Sequence, residues 1–187
     1  MDFRREIWRK SVHLAGLPFL PVIFWNSSLV LFLLLVFLGG YLWVEMMDRR
    51  KKSIPFLSAF TWKCKRPEES GRFAWGPALM VGAAIPLVLF LEPRAASLGL
   101  LQVFLSDAVS TLVGLKWGAK KIPWSPTKSW LGSAAFFISA FLGSLFFIAW
   151  PQALILASAG TLIESLPFRD WDNLLVPLGV GILAALL

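Results

Sequence analysis

An aspartate inside an apolar run is the first feature with chemistry in it. Asp107 lies in Leu105-Ser106-Asp107-Ala108-Val109-Ser110-Thr111-Leu112-Val113-Gly114, nine residues before Lys116. That places it about 13 Å from the polar boundary if the segment is helical. An ionisable group at such depth costs about 2.5–3.5 kcal/mol on insertion scales and persists mainly where it has a function. Asp107, Ser110, Thr111 and Gly114 fall at i, i+3, i+4 and i+7, a polar stripe on one helix face. A carboxylate beside hydroxyls suits a hard cation such as Mg²⁺, which takes oxygen ligands and keeps waters and phosphates.

Three further groupings carry charge next to apolar sequence. Glu6, Arg9, Lys10 and His13 repeat the i, i+3, i+4, i+7 spacing, so one helix face holds an acid, two cations and the only histidine. Such a face can clamp a phosphate or headgroup, with His13 available for proton transfer. The stretch from Lys116 to Ser133 ends where another apolar run begins. Lys128, Ser129, Gly132 and Ser133 surround that helix start, where free N–H groups and the helix dipole favour phosphate. It lacks the Walker A pattern, and Lys116, Lys120 and Lys121 equally suit anionic lipid. Near the C-terminus, Glu164, Asp170, Asp172 and Asn173 can join Asp107 around a metal–nucleotide complex, with Asp170 the one best explained as a solvated loop charge. Glu45 closes the second apolar run and can face the same cavity, while Asp48 balances Arg49 to Lys52. In Gly71-Arg72-Phe73-Ala74-Trp75-Gly76, Arg72 is placed to reach phosphate at the interface.

The elements that must position these groups are set by composition. Of 187 residues, 57% are hydrophobic, and mean hydropathy is +0.70, above the roughly 45–50% apolar content of soluble domains. Apolar segments recur at 11–25, 28–47, 76–92, 96–115, 131–149, 152–168 and 173–187. They lack strand alternation, so the expectation is all-α: one integral membrane domain over 1–187, a bundle of about seven spans. No cleavage site follows the first segment, which reads as a retained span. Every Lys and Arg except Arg94 falls in 1–10, 48–75, 116–130 or 169–172. The positive-inside rule then puts the N-terminus and the candidate site in the cytoplasm. Trp25, Trp43, Trp75, Trp117, Trp130, Trp150 and Trp171 sit at span ends, as an interfacial belt would. The net charge of +7 therefore points to membrane lipids as partners, not nucleic acid. A single cysteine, Cys64, excludes an intramolecular disulfide and a cysteine metal cluster.

In this order, these pieces resemble the CTP-dependent lipid kinases: the dolichol, phytol and yeast-type diacylglycerol kinases, relatives of the phosphatidate cytidylyltransferases. The family pattern E-x-x-R-K-x-x-H is matched by Glu6, Arg9, Lys10 and His13, and D-A-x-[AS]-x-x-x-G by Asp107, Ala108, Ser110 and Gly114. K-S-x-E-G-S appears as Lys128-Ser129-Trp130-Leu131-Gly132-Ser133, with Leu131 in place of the Glu. Glu164 and Asp172-Asn173-Leu174, with Val176 and Pro177, match E…D-N-L-x-V-P.

The resemblance implies transfer of the γ-phosphoryl of CTP, with Mg²⁺, to a lipid alcohol: a polyprenol, phytol or diacylglycerol. It implies a metal or base role for Asp107 and a triphosphate role for Lys128 with Ser129, Gly132 and Ser133. Glu164, Asp172 and Asn173 would serve metal or cytidine, and Glu6, Arg9, Lys10, His13 and Arg72 the substrate or phosphate end. The nearest rival, a phosphatidate cytidylyltransferase, usually carries a longer C-terminal motif with D-R-x-x-D, which this chain lacks. A non-catalytic lipid-binding protein is the rival of another class, and Leu131 is its best argument.

Overall fold

Leu, Ala, Phe and Val dominate the apolar runs without period-two alternation, and backbone groups in such surroundings must bond within their own segment. Helix follows. The computed structural model describes residues 3–52, 58, 61, 65, 69 and 72–187. Cys64 and Gly71 lie outside the described residues.

In chain order the elements are α1 (Phe3–Leu14), α2 (Phe19–Arg49), α3 (Trp75–Phe90) and α4 (Pro93–Leu101). A π-helical turn, Gln102–Ser106, joins α4 to α5 (Asp107–Trp117). Strands β1 (Lys121–Ile122) and β2 (Ser125–Ser129) form a small antiparallel ribbon, with Lys121 opposite Ser129. Then come α6 (Trp130–Ser144), α7 (Trp150–Ser165), a 3₁₀ turn at Arg169–Trp171 and α8 (Asp172–Leu186). Among the described residues the all-α expectation is correct, with the ribbon as the one departure. Segments 76–92, 131–149, 152–168 and 173–187 become α3, α6, α7 and α8, and 96–115 becomes the α4–π–α5 rod.

The first segment is different. It is not one helix over 11–25: α1 ends at Leu14, turns occupy 15–18, and α2 begins at Phe19. The reason lies in α1, whose buried side chains are Glu6, Lys10 and His13, so its polar face points inward against α5 and the π turn. At Asn26 the backbone leaves helical geometry (φ −155°, ψ 85°). Asn26 Oδ1 accepts from the Leu29 N–H at 2.9 Å, an N-terminal cap that restarts the helix. The sequence break between the first two segments survives as this kink inside α2.

Among the described residues, two helical stretches are long and apolar enough to cross a membrane: Phe19–Arg49 and Pro93–Trp117. Only 17% of the α2 apolar window is buried inside the protein, against 61% for the α4–α5 rod. Thus α2 lies at the periphery and the rod is central. One core cluster joins α2, α3 and α4 around Leu34, Ala84 and Leu100. A second joins α6, α7 and α8 to Leu98 through Phe136, Leu156 and Val180. Helix directions bring the ends of α2, α5 and α7 and the starts of α3, α6 and α8 to one end of the bundle. All the chemistry described below sits there.

Candidate active site

Asp107 opens α5 directly after the π turn, a local widening that often marks functional positions. The turn is held by Gln102, whose side-chain amide donates to the Leu156 carbonyl at 3.2 Å. Asp107 thereby faces α1, and its carboxylate pairs with Lys10. His13 Nδ1 lies 3.1 Å from the Val103 carbonyl and 3.3 Å from Asp107 Oδ2. Because a carbonyl only accepts, Nδ1 carries the proton and Nε2 keeps the lone pair. One turn back, the Arg9 guanidinium is held by Glu6 through contacts of 2.8 and 2.9 Å. Burial works against the Arg9 charge, but Glu6 and Asp107 outweigh it and raise the Arg9 pKa. For Lys10 burial dominates and the pKa is lowered, despite Asp107.

The second half of the site centres on Lys128, carried by β2. Its Nζ lies 2.9 Å from Glu164 Oε1 and 2.8 Å from Asp172 Oδ2, so it ties the end of α7 to the start of α8. Burial disfavours the ammonium, yet Asp172, Glu164 and Asp107 together hold the Lys128 pKa well above the usual lysine value. Glu164 also accepts from Ser110 Oγ at 3.1 Å and Ser133 Oγ at 3.0 Å. Ser129 Oγ accepts from the Gly132 N–H at 3.1 Å and caps α6. Close approach makes this possible. A Cβ on Gly132 would stand 3.1 Å from the Ser110 carbonyl oxygen, and one on Gly118 would stand 2.2 Å from Ser129 Oγ.

Several of these groups line a polar cleft with about 910 Å³ of space, part of it open to solvent. Five cations (Arg9, Lys10, Lys121, Lys128, Arg169) face three carboxylates (Asp107, Glu164, Asp172), an excess of two positive charges. Thr111, Gly114, Ser129 and Gly132 complete the polar wall. Lys121 and Arg169 are functional candidates that sequence reasoning missed. The only signal for Arg169 is structural: a φ of 50°, an uncommon backbone state that tends to cluster at functional sites.

Other expected residues fall elsewhere. Asn173 is buried but lines a second, mostly apolar cavity of about 610 Å³, together with His13 and Asp170. Arg9 lines both spaces. Ser133 holds Glu164 and Glu6 holds Arg9, so both position other residues and neither lines the cleft. Arg72 is exposed and lines neither of these two spaces. Glu45 does not face the cleft either. It is fully buried, 2.6 Å from Lys65 Nζ, and its other oxygen has no hydrogen-bond partner among the described residues. Lys65→Met should therefore cost about 3–5 kcal/mol in stability. In the Glu45→Leu/Lys65→Met double variant much of that loss should return, which a thermal-melt double-mutant cycle would read.

Leu131 occupies the Glu position of K-S-x-E-G-S, and it points outward. It is 47% exposed and sits in a shallow surface recess with Trp117, Lys120 and Trp130, away from the cleft. Leu131→Glu should accordingly move the nucleotide affinity by less than about threefold and stability by less than roughly 0.5 kcal/mol, as titration and melting would show.

As for a metal, no group of three His, Cys, Asp or Glu able to hold an ion exists among the described residues. The donors that do line the cleft are hard oxygens, among them those of Asp107, Glu164, Asp172, Ser110 and Thr111. Such a set fits Mg²⁺ arriving with phosphates, which needs only one or two protein carboxylates.

A mostly helical chain thus places a basic, carboxylate-lined cleft beside an apolar cavity. No family model matches the chain, and no solved structure matches it. A probable chloroplastic phytol kinase of Triticum aestivum is 33% identical over 132 residues, covering 60% of this chain and 44% of that protein. Phytol kinase 1 of Arabidopsis thaliana is 31% identical over 132 residues, covering 60% and 43%. An uncharacterized protein of Methanocaldococcus jannaschii is 30% identical over 178 residues, covering 92% of this chain and 89% of its own length. The chain thus shares a family with the Methanocaldococcus protein over nearly its whole length and is similar to named phytol kinases over about three fifths of it. It spans less than half the length of those plant relatives.

Proposed function

We propose that the chain is a CTP-dependent kinase that transfers the γ-phosphoryl group to a lipid alcohol at the cytoplasmic face of a membrane. The observation that carries this reading is the cleft's two-charge excess of cations around Asp107, which complements a magnesium-bound nucleoside triphosphate. Phosphoryl transfer asks a protein mainly for positioning and charge neutralisation. Arg9 and Lys10 reach the cleft from α1, Lys121 and Lys128 from the ribbon and Arg169 from the 3₁₀ turn, so a triphosphate bound there would meet cations from three elements. Asp107 and Asp172 would hold Mg²⁺, which would supply charge neutralisation on the transferred phosphoryl group. His13, oriented through Nδ1, keeps its Nε2 lone pair for the alcohol proton.

Membrane placement has separate support. Large apolar side chains such as Trp25, Phe32, Leu35, Phe90, Phe146 and Leu162 are exposed, as lipid-facing residues would be. With basic residues gathered at the site end, the proposal is a multi-pass protein whose cleft opens to the cytoplasm. The test is detergent-solubilised protein with γ-labelled CTP, Mg²⁺ and a panel of phytol, polyprenol, diacylglycerol and phosphatidate. Label in an alcohol acceptor with CDP released supports the kinase. Pyrophosphate release with phosphatidate would overturn it in favour of cytidylyl transfer, and no turnover or nucleotide binding would favour a non-catalytic role.

A further inference from the structure

Resting on the membrane placement proposed above, we infer that a recess outside the cleft is a site for one anionic phospholipid, which braces the ribbon that carries Lys128. Trp117, Ala119 and Lys120 line the recess from the end of α5 and the link to β1, and Trp130, Leu131 and Ala134 from the start of α6. None of these residues lines the polar cleft. Adjacent lysines divide between the two spaces: Lys120 lines the recess and Lys121 the cleft, as successive residues along a strand do. Lys116 brings a second ammonium, 4.4 Å from the centroid of the Trp117 ring. No acidic residue stands between Asp107 and Glu164 in the sequence. Among the described residues, no carboxylate pairs with Lys116 or Lys120. Leu131 matters here, because a Glu at that position would set a negative charge in the recess beside Lys120.

The surface next to the recess decides the kind of anion. Leu131, Ala134, Ile138, Leu142 and Leu145 are exposed, and at i, i+3, i+7, i+11 and i+14 they share one face of α6. The opposite face, with Gly132, Phe136, Ala140 and Gly143, is buried. The exposed stripe runs roughly 21 Å from the recess, more than the ~15 Å depth of half a bilayer core. An acyl chain lying on it puts its headgroup in the recess, where two ammoniums meet the phosphate and the indoles of Trp117 and Trp130 sit at the interface. A free phosphate would use the lysines and leave the stripe uncovered. The bracing follows from connectivity. The Trp130 N–H donates to the Lys120 carbonyl at 3.2 Å, and Lys121 pairs with Ser129. Trp124, at the tip of the ribbon, packs edge-on against Trp130 at 5.8 Å. A lipid held by Lys120 and Trp130 therefore clamps the two ends of the ribbon together, with Lys128 two residues away.

Photoreactive phosphatidylglycerol and phosphatidylcholine, each with a diazirine in one acyl chain, test this on the full chain in phosphatidylcholine nanodiscs, without nucleotide or acceptor. The expected result is label on α6 between Leu131 and Leu145, with phosphatidylglycerol favoured on the order of tenfold. Lys120→Gln and Leu131→Glu should each lower that preference about fivefold, and Lys116→Gln/Lys120→Gln should remove it. Phe32 and Leu35, exposed on α2, should take both labels equally in every variant and so serve as the reference for lipid-facing surface. In wild type, phosphatidylglycerol should slow backbone hydrogen exchange across 119–129 by roughly threefold or more, an effect absent from Lys116→Gln/Lys120→Gln. Equal labelling of α6 by the two lipids in wild type, or a preference that survives the double substitution, would overturn the site. Loss of the label to millimolar inorganic phosphate, but not to chloride of equal ionic strength, would overturn the lipid assignment in favour of a soluble anion. A preference without slowed exchange would remove the bracing role. No label on either α2 or α6 would overturn the membrane placement itself, a result distinct from label on α2 with α6 indifferent to headgroup charge.

Discussion

Lys128→Met is expected to lower kcat/KM for CTP roughly a thousandfold and to weaken Mg–CTP binding in the absence of acceptor. The magnitude follows from the loss of one preorganised charge aimed at a phosphate, typically about a hundredfold to a thousandfold, together with damage to the wall it holds. Without the ammonium, Glu164 and Asp172 have lost the cation that each contacts within 3 Å. Their mutual repulsion then opens the junction between α7 and α8. Breaking a buried pair from one side costs about 3–5 kcal/mol, and the lower figure applies here because Lys128 keeps some exposure. Lys128→Arg separates charge from shape: stability should largely return because the guanidinium still pairs with both carboxylates, whereas turnover should not, since its charge is spread over a planar fork and no longer presents a compact ammonium to the phosphate. Titration adds a check on sign. The folded-state pKa of Lys128 is raised above the ordinary 10.5, so its stabilising contribution is fully present below 10.5 and is lost only as pH rises through the higher folded value. Any wild-type activity change between about pH 6 and 9 must then come from another group. A Lys128→Met protein that binds Mg–CTP with wild-type affinity would remove the triphosphate role.

Much of this site was legible because charge inside apolar sequence needs an explanation. Asp107, Lys128, Glu164 and Asp172 lie on four different elements, yet each stood out as an ionisable group that topology left unexplained, and the fold brings all four to one cleft. Other features were hidden for physical reasons. Lys121 and Arg169 looked like basic residues flanking apolar runs, and nothing in their neighbours tells a charge that lines a cleft from one that faces headgroups. Asp172 and Asn173 are adjacent, but successive helix positions point about 100° apart, so the pair divides between the cleft and the apolar cavity. The inward polar face of α1 was visible as a spacing, whereas its consequence, a break after Leu14 instead of a continuous span, depends on Asp107 being the partner of Lys10. Leu131 is the converse case. Its motif position suggested a missing functional group, while its place on the outer face of α6 leaves the cleft intact.

Asp107→Asn separates the structural from the chemical role of the aspartate set inside the apolar run. The amide has nearly the shape of the carboxylate, so packing is preserved and only the charge is lost. Lys10 is 2% exposed and Asp107 is its ion-pair partner, so the variant buries an ammonium with no counter-charge, at a cost of about 3 kcal/mol or more. Activity should fall at least a thousandfold, because the cleft loses its central oxygen ligand as well as the group that orients His13. The stability loss alone could mimic this result, so the second variant decides. Asp107→Asn/Lys10→Met removes both charges and should recover stability to within roughly 1–2 kcal/mol of wild type, while turnover stays absent. The pH dependence provides an independent sign. Burial lowers the Lys10 pKa below its ordinary 10.5, so between the two values the unfolded chain binds more protons and stability rises with pH. Removing Asp107 lowers that pKa further, so thermal stability of Asp107→Asn should climb more steeply from neutral pH toward pH 9 than that of wild type. In the double variant the steep limb should vanish. Full CTP-dependent phosphorylation in either variant would instead assign Asp107 to the packing of α1 against α5 and move the chemistry to Glu164 and Asp172.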